Sequence, residues 1–208
     1  DKLAAKSAST TAQWGVSLTK FKYSTKTGQF TGAENFITSI NYYNYKTGLY
    51  QSTPVDGAPA DAAKDTFGWG ISRFCSATFS PAGTFSYKSG SETIGYTGAL
   101  FTTGEEIGDN SRGFAFDMDG VGYQLPRVGM LSFETISPTR KVGPNTVAIA
   151  NKDGSATDSQ LHVYIGKKTN TGSPVDKAGL TNGDLYVLNA GTIATDNVFR
   201  TTIAKSTP

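Results

Sequence analysis

Cys75 is the single cysteine of the 208-residue chain, within Arg73-Phe74-Cys75-Ser76. A lone thiol closes no internal disulfide, which leaves core filler, metal ligand or nucleophile. The chain has five glutamates, and three of them are Glu105, Glu106 and Glu134. Glu105 and Glu106 follow an apolar stretch, and adjacent carboxylates repel unless a cation or a proton intervenes. Glu134 lies between Phe133 and Ile136, where an unpaired carboxylate is costly. Carboxylate oxygens suit Ca²⁺, Mg²⁺, Mn²⁺ or Fe³⁺, and a thiolate among them points to a transition metal as well. Each residue also has a plainer reading. A lone cysteine is more often a small apolar filler, and Gly-Glu-Glu after a strand is more often a solvated turn. Only a strand-interior Glu such as Glu134 weighs evenly between the two.

Other chemistries are constrained by what the chain holds. His162 is the one histidine and no Gly-x-Ser-x-Gly elbow accompanies it, which weakens a serine triad. Zinc sites built on His-Glu-x-x-His or on paired cysteines are excluded. His162 sits in an alternating run and reads as a strand residue without chemistry. The formal charge is +2, with basic residues scattered, and predicts no nucleic-acid partner. No apolar run is long enough for a membrane span, and no signal peptide is evident. The opening "DKLAAKSAST" lacks an initiator Met, which suits a processed chain or a fragment. "DMDG" (117–120) opens like a calcium loop, but Val128 stands where an EF-hand needs Glu, so a hairpin turn is expected.

The elements that would position these residues are strands. Twenty-four glycines, 12% aromatics and abundant Ser, Thr and Asn describe a turn-rich, all-β chain. Residues 1–13 read as a flexible start, 14–208 as the folded domain, and 51–66 as a surface loop within it. "WGVSLTKFKY" reads as a strand with Val16, Leu18 and, at the edge of the pattern, Phe21 inward. "ENFITSINYYN" reads as a second strand, and "STKTGQF" and "YKTGLYQ" share a Lys-Thr-Gly turn. Tyr42, Tyr43 and Tyr45 suit either strand packing or a stacking platform for a carbohydrate.

From Cys75 onward, four short strand candidates are followed by four more. The sets overlay, Pro81 on Pro138 and Glu105 on Asp153, with a period of roughly 55 residues. The same overlay puts Ala77 on Glu134, two residues from Cys75 and therefore on the same strand face. Consecutive groups of four antiparallel strands resemble β-propeller blades, here part of a full propeller. Helical periodicity is nearly absent; "PVDKAGL" makes one turn at most.

"RFCSA", "TGEEIGDNSRGFAF", "YQLPRVGMLSFE", "VYIGKKTNTG" and "KAGLTNGDLYVLN" together, in this order, resemble the PhoX-type alkaline phosphatase family. The resemblance runs through residues 69–189 and, more loosely, 14–68. It implies a secreted or periplasmic β-propeller that hydrolyses small phosphate esters at a calcium and iron centre. Carried onto this chain, it implies Cys75 as an iron-bridging thiolate, Glu134 as a ligand, and at least one of Glu105 and Glu106 as another. Arg73 and Arg112 fall at family arginines that orient ligands or phosphate or support the fold, and Asp153 matches an acidic turn with a one-residue shift. The family's Asn-His-Glu stretch has no counterpart before Trp14, and about twenty residues follow the last motif. The expectation is therefore a fragment, a shortened relative, or a unit completed by other copies or another chain. A reading of a different class is a non-catalytic extracellular structural protein that self-associates through open sheet edges.

Overall fold

Glycines at left-handed positions cut the chain into short strands. The computed structural model describes residues 16–52, 71, 73–140, 143–154 and 159–188. The expected flexible start and most of the expected loop at 51–66 lie outside them. β1 (Thr19–Ser24) pairs with β2 (Gln29–Asn35), and β3 (Ser39–Asn44) with β4 (Leu49–Gln51). The two hairpins turn alike. Gly28 and Gly48, at φ 70° and 71°, donate their N–H to the carbonyls of Ser24 and Asn44 at 2.9 and 2.8 Å. A side chain is strained at that φ, which is why both turns end in Gly.

The four segments after Cys75 supply β5 (Thr78–Ser80), β8 (Leu100–Gly104), β9 (Gly113–Asp117) and β10 (Val121–Gln124). They pair antiparallel in chain order. β3 then adds to β10 in parallel, giving a six-stranded sheet ordered β4-β3-β10-β9-β8-β5. The hairpin of β6 (Phe85–Ser89) and β7 (Glu92–Tyr96) stands apart between β5 and β8. The next four segments supply β11 (Phe133–Pro138), β12 (Asn145–Lys152), β13 (Leu161–Lys167) and β14 (Asp184–Val187), an antiparallel sheet in that order. One short helix, α1 (Pro174–Lys177), matches the single expected turn. Ser173 and Asp176 cap it reciprocally, and Pro174 starts it. The "DMDG" segment is the β9–β10 turn, with Asp117 Oδ1 accepting the N–H groups of Asp119 and Val121.

The described residues are thus predominantly β, in several antiparallel sheets without a closed barrel. β9 is buried along its whole length. Ala115 faces a core shared with Leu100, Phe133, Ile136, Ala148 and Tyr164. Phe114 and Phe116 face a second core with Ile40, Tyr42 and Ile71. Val16 closes that second core, and Leu18 packs against it, as alternation suggests. Phe21 does not follow: it is 58% exposed, because among the described residues β1 pairs only with β2 and no layer lies behind it. Tyr42 is fully buried and Tyr43 and Tyr45 are half-buried, so these rings are strand packing rather than an open platform.

Candidate metal centre

Three stretches of chain meet beside the bridge between Phe74 and Glu105. Glu106 donates its N–H to the Arg73 carbonyl at 3.0 Å, which aligns 73–75 antiparallel to 104–106. Alternation then places Phe74 and Glu105 on one side and Arg73, Cys75, Gly104 and Glu106 on the other. Phe74 enters the aromatic core, its ring centroid 5.8 Å from that of Phe114. Cys75 is left exposed.

The third stretch is β11, tied on by the Phe133 N–H to the Glu105 carbonyl at 2.9 Å. Its approach depends on Gly104. A Cβ there would lie 2.3 Å from Phe133 Cβ, so any larger residue pushes β11 away. The register of β11 against β12 slips between Phe133 and Thr135, so Glu134 is the extra residue of a bulge. A bulge re-aims a side chain without ending the sheet. Glu134 therefore turns outward and is exposed instead of carrying its charge into the core.

The result is a cluster in which Cys75 Sγ and one carboxylate oxygen each of Glu106 and Glu134 all lie within 4.8 Å of one another. Arg73 closes one side, its Nη2 donating to the Glu106 carbonyl at 2.9 Å and to Oε2 at 2.8 Å. Asp153 closes another, hydrogen-bonded to the Glu106 side chain, with its own N–H held by the Ser132 carbonyl at 2.8 Å. The Cys75 thiol is pushed up, chiefly because Glu106 accepts its hydrogen bond. Glu106 is lowered, chiefly by that same bond and then by the one from Asp153. Asp153 is raised, because Glu106 accepts a hydrogen bond from its protonated form. Hydrogen bonds involving the thiol and Asp153 thus converge on the Glu106 carboxylate, where a bound cation would draw on the same side chains.

Of the residues singled out from sequence, Cys75, Glu106, Glu134, Asp153 and Arg73 come together. Glu105 and Arg112 do not join them. Glu105 points inward, 1% exposed, and takes a bidentate fork from Arg112 Nε at 2.8 Å and Nη2 at 3.0 Å. The Arg112 guanidinium also lies 5.8 Å from the Tyr42 ring and 5.6 Å from the Phe114 ring. Their pair joins the core beneath the cluster to the β8–β9 ladder. Sequence reasoning missed Gly104 and the bulge at Glu134. The dipeptide Gly-Glu before a second Glu was the one available hint, since a glycine inside a strand marks close backbone approach. Comparison with protein-family models, with curated proteins and with solved structures gives no match.

Proposed function

We propose that this chain carries the metal centre of a phosphate-ester hydrolase of the PhoX-like alkaline phosphatase type. The observation that carries the reading is the convergence of Cys75, Glu106 and Glu134 from three separate stretches to within 4.8 Å. The donor set fits the metals that the resemblance implies: a thiolate suits iron, and clustered carboxylates suit calcium or iron. Cys75, Glu106 and Glu134 would hold the metals, with Asp153 adjoining. A metal bound there supplies Lewis-acid polarisation of a phosphoryl oxygen. Arg73 is 64% exposed at the rim while holding Glu106, so it both orients that carboxylate and offers positive charge to an arriving phosphate. Glu105 and Arg112 hold the strand beneath and do not touch substrate in this reading.

The propeller-blade reading of the fold is supported by the antiparallel run β5-β8-β9-β10, which β3 and β4 extend to six strands, followed by the four-stranded antiparallel β11–β14 sheet. Small phosphate monoesters are the substrate class, and a secreted or periplasmic location goes with the resemblance. No helix among the described residues is long and apolar enough to cross a membrane.

The test is metal analysis together with p-nitrophenyl phosphate hydrolysis on the chain supplied with iron and calcium. Cys75→Ala, Glu106→Gln and Glu134→Gln should each lose bound iron and hydrolysis together. Unchanged iron and turnover in Cys75→Ala would overturn the proposal.

A further inference from the structure

We infer that the six-stranded sheet carries a second site, for an alkylammonium ion, where Asp117 meets the rings of Tyr96 and Tyr123. The ligand is the protonated amine of a small molecule or of a lysine side chain.

Alternation along the strands sets the floor of the site. Ala115 faces the first core, so Asp117, two residues on, leaves the sheet on that same face, opposite Leu100. Tyr123 stands opposite Ala115, and Asn41 of β3 stands beside Tyr123. β4 carries the face to its edge, with Tyr50 opposite Tyr43. The rings of Tyr50 and Tyr123 meet at 89° with centroids 6.4 Å apart, which makes a corner and not a flat platform. Tyr96 comes from the β6–β7 hairpin and packs, like Tyr123, at the border of the first core. Its ring lies over Gly98, where a Cβ would run into the Tyr96 hydroxyl. Tyr50, Tyr96 and Tyr123 are all half-buried. Gly104 pairs with Gly113 at the end of the β8–β9 ladder next to Glu105 and Arg112, whereas Asp117 pairs with Leu100 at the other end. The site is therefore separate from the Cys75 cluster.

Asp117 is the group that lacks a partner. It is only 7% exposed. Its Oδ1 accepts the N–H groups of Asp119 and Val121, and among the described residues its Oδ2 accepts no hydrogen bond. Burial holds this carboxyl above the usual carboxylate range, and the charge of Asp119 adds to the effect. A buried carboxylate oxygen without a donor is costly, and a positively charged donor removes that cost.

The surroundings select the sign of the ligand. Among the described residues, the charged side chains that bear on the hydroxyls of Tyr50, Tyr96 and Tyr123 are Asp117, Asp119 and Asp176, all carboxylates. Asp176 reaches the group from α1, which packs on β7. Aromatic faces add attraction for a cation through their quadrupole. An ammonium ion would donate N–H to Asp117 Oδ2 and lay its methylenes against Tyr96 and Tyr123. A corner of perpendicular rings suits such a compact cation better than a sugar, which stacks on one open face.

Calorimetric titration of the full chain with cadaverine and with a lysine-containing tripeptide is the experiment. The chain should bind at least one of them. Tighter binding of cadaverine assigns the site to a free amine, and tighter binding of the peptide assigns it to a lysine side chain. Asp117→Asn keeps an oxygen for the Asp119 and Val121 amides and should weaken binding by about tenfold or more. Tyr123→Leu should weaken it to a similar degree, about tenfold. Gly98→Ala displaces the far end of the Tyr96 ring without touching the β9–β10 turn, and should weaken binding while the circular dichroism spectrum stays that of the wild type. A chain that binds neither amine overturns the proposal. So does amine binding indifferent to Asp117→Asn and Gly98→Ala, or a site at Asp117 that takes Ca²⁺ or a neutral hexose and no amine.

Discussion

Glu105 and Glu106 are adjacent in the chain and serve opposite sides of it. Glu105 reaches into the core to Arg112, and Glu106 reaches out to Cys75 and Arg73. Substitution should separate the two roles. Glu105→Ala leaves the Arg112 charge buried without its carboxylate and should cost about 3–5 kcal/mol of stability. Replacing both with apolar residues of similar size should recover much of that loss. Glu106→Gln should leave the denaturation midpoint nearly unchanged and lower metal content. Denaturant unfolding paired with metal analysis reads both effects.

Gly104 decides whether Glu134 arrives. With Phe133 Cβ only 2.3 Å from the place a new Cβ would take, Gly104→Ala must shift β11. Overpacking of this kind costs typically about 1–3 kcal/mol. The shift moves Glu134 away from Cys75 and Glu106. Metal affinity should therefore fall more steeply than in a surface variant of equal stability, which a titration with Fe²⁺ followed by absorbance would show.

The metal-free thiol has its own signature. Glu106 accepts the Cys75 hydrogen bond and its charge opposes a thiolate, so Cys75 titrates above the ordinary thiol range. Below that raised value the thiol stays protonated and alkylates slowly. Glu106→Gln removes the charge and should bring the pH profile of iodoacetamide alkylation down towards that of a free cysteine. A profile that does not move would show that Glu106 does not contact the thiol in solution.

Alkaline pH tests the aromatic core. Burial pushes the Tyr164 hydroxyl up to about 12, and those of Tyr42 and Tyr50 higher still. Unfolded tyrosines ionise near 10, so above that pH the unfolded chain gives up protons that the folded chain keeps. The stability these groups lend is complete below about pH 10 and is lost as pH rises through 12. Lys168 works in the opposite sense. Burial lowers its value, so its contribution improves as pH climbs towards that of an ordinary lysine, but it is one group against six tyrosines that burial raises, Tyr45, Tyr96 and Tyr123 included. Absorbance at 295 nm should therefore rise in a cooperative step with loss of structure. Tyr164→Phe strands the Gly183 N–H that its hydroxyl accepts at 2.8 Å. It should cost about 1–3 kcal/mol at neutral pH and blunt the alkaline step.

Much of this architecture was legible in the residues. β11 to β14 follow the four segments read from alternation, and β5, β8, β9 and β10 follow the four before them. The β6–β7 hairpin escaped notice because "SYKSGSET" is polar and lacks an alternating apolar row. Phe21 misled because a β-period says which residues share a face and not whether anything covers it. At the candidate site, Cys75, Glu106 and Glu134 were recognisable by type. Choosing Glu106 over Glu105 needed the pairing of Phe74 with Glu105, a contact across 31 positions that local pattern does not encode.

The parallel seam between β3 and β10 has a consequence for how the chain is made. Tyr43 donates its N–H to Gln124 Oε1 across 81 positions of sequence. On a ribosome adding about 5–20 residues per second, the partner strand follows roughly 4–16 s later. Through that interval Ile40 and Tyr42, both buried in the finished fold, have no sheet to lie on. The amino-terminal third must wait for the middle of the chain before it can be sheltered, so its aromatic hairpins are the nascent segment on which a chaperone would have most to hold.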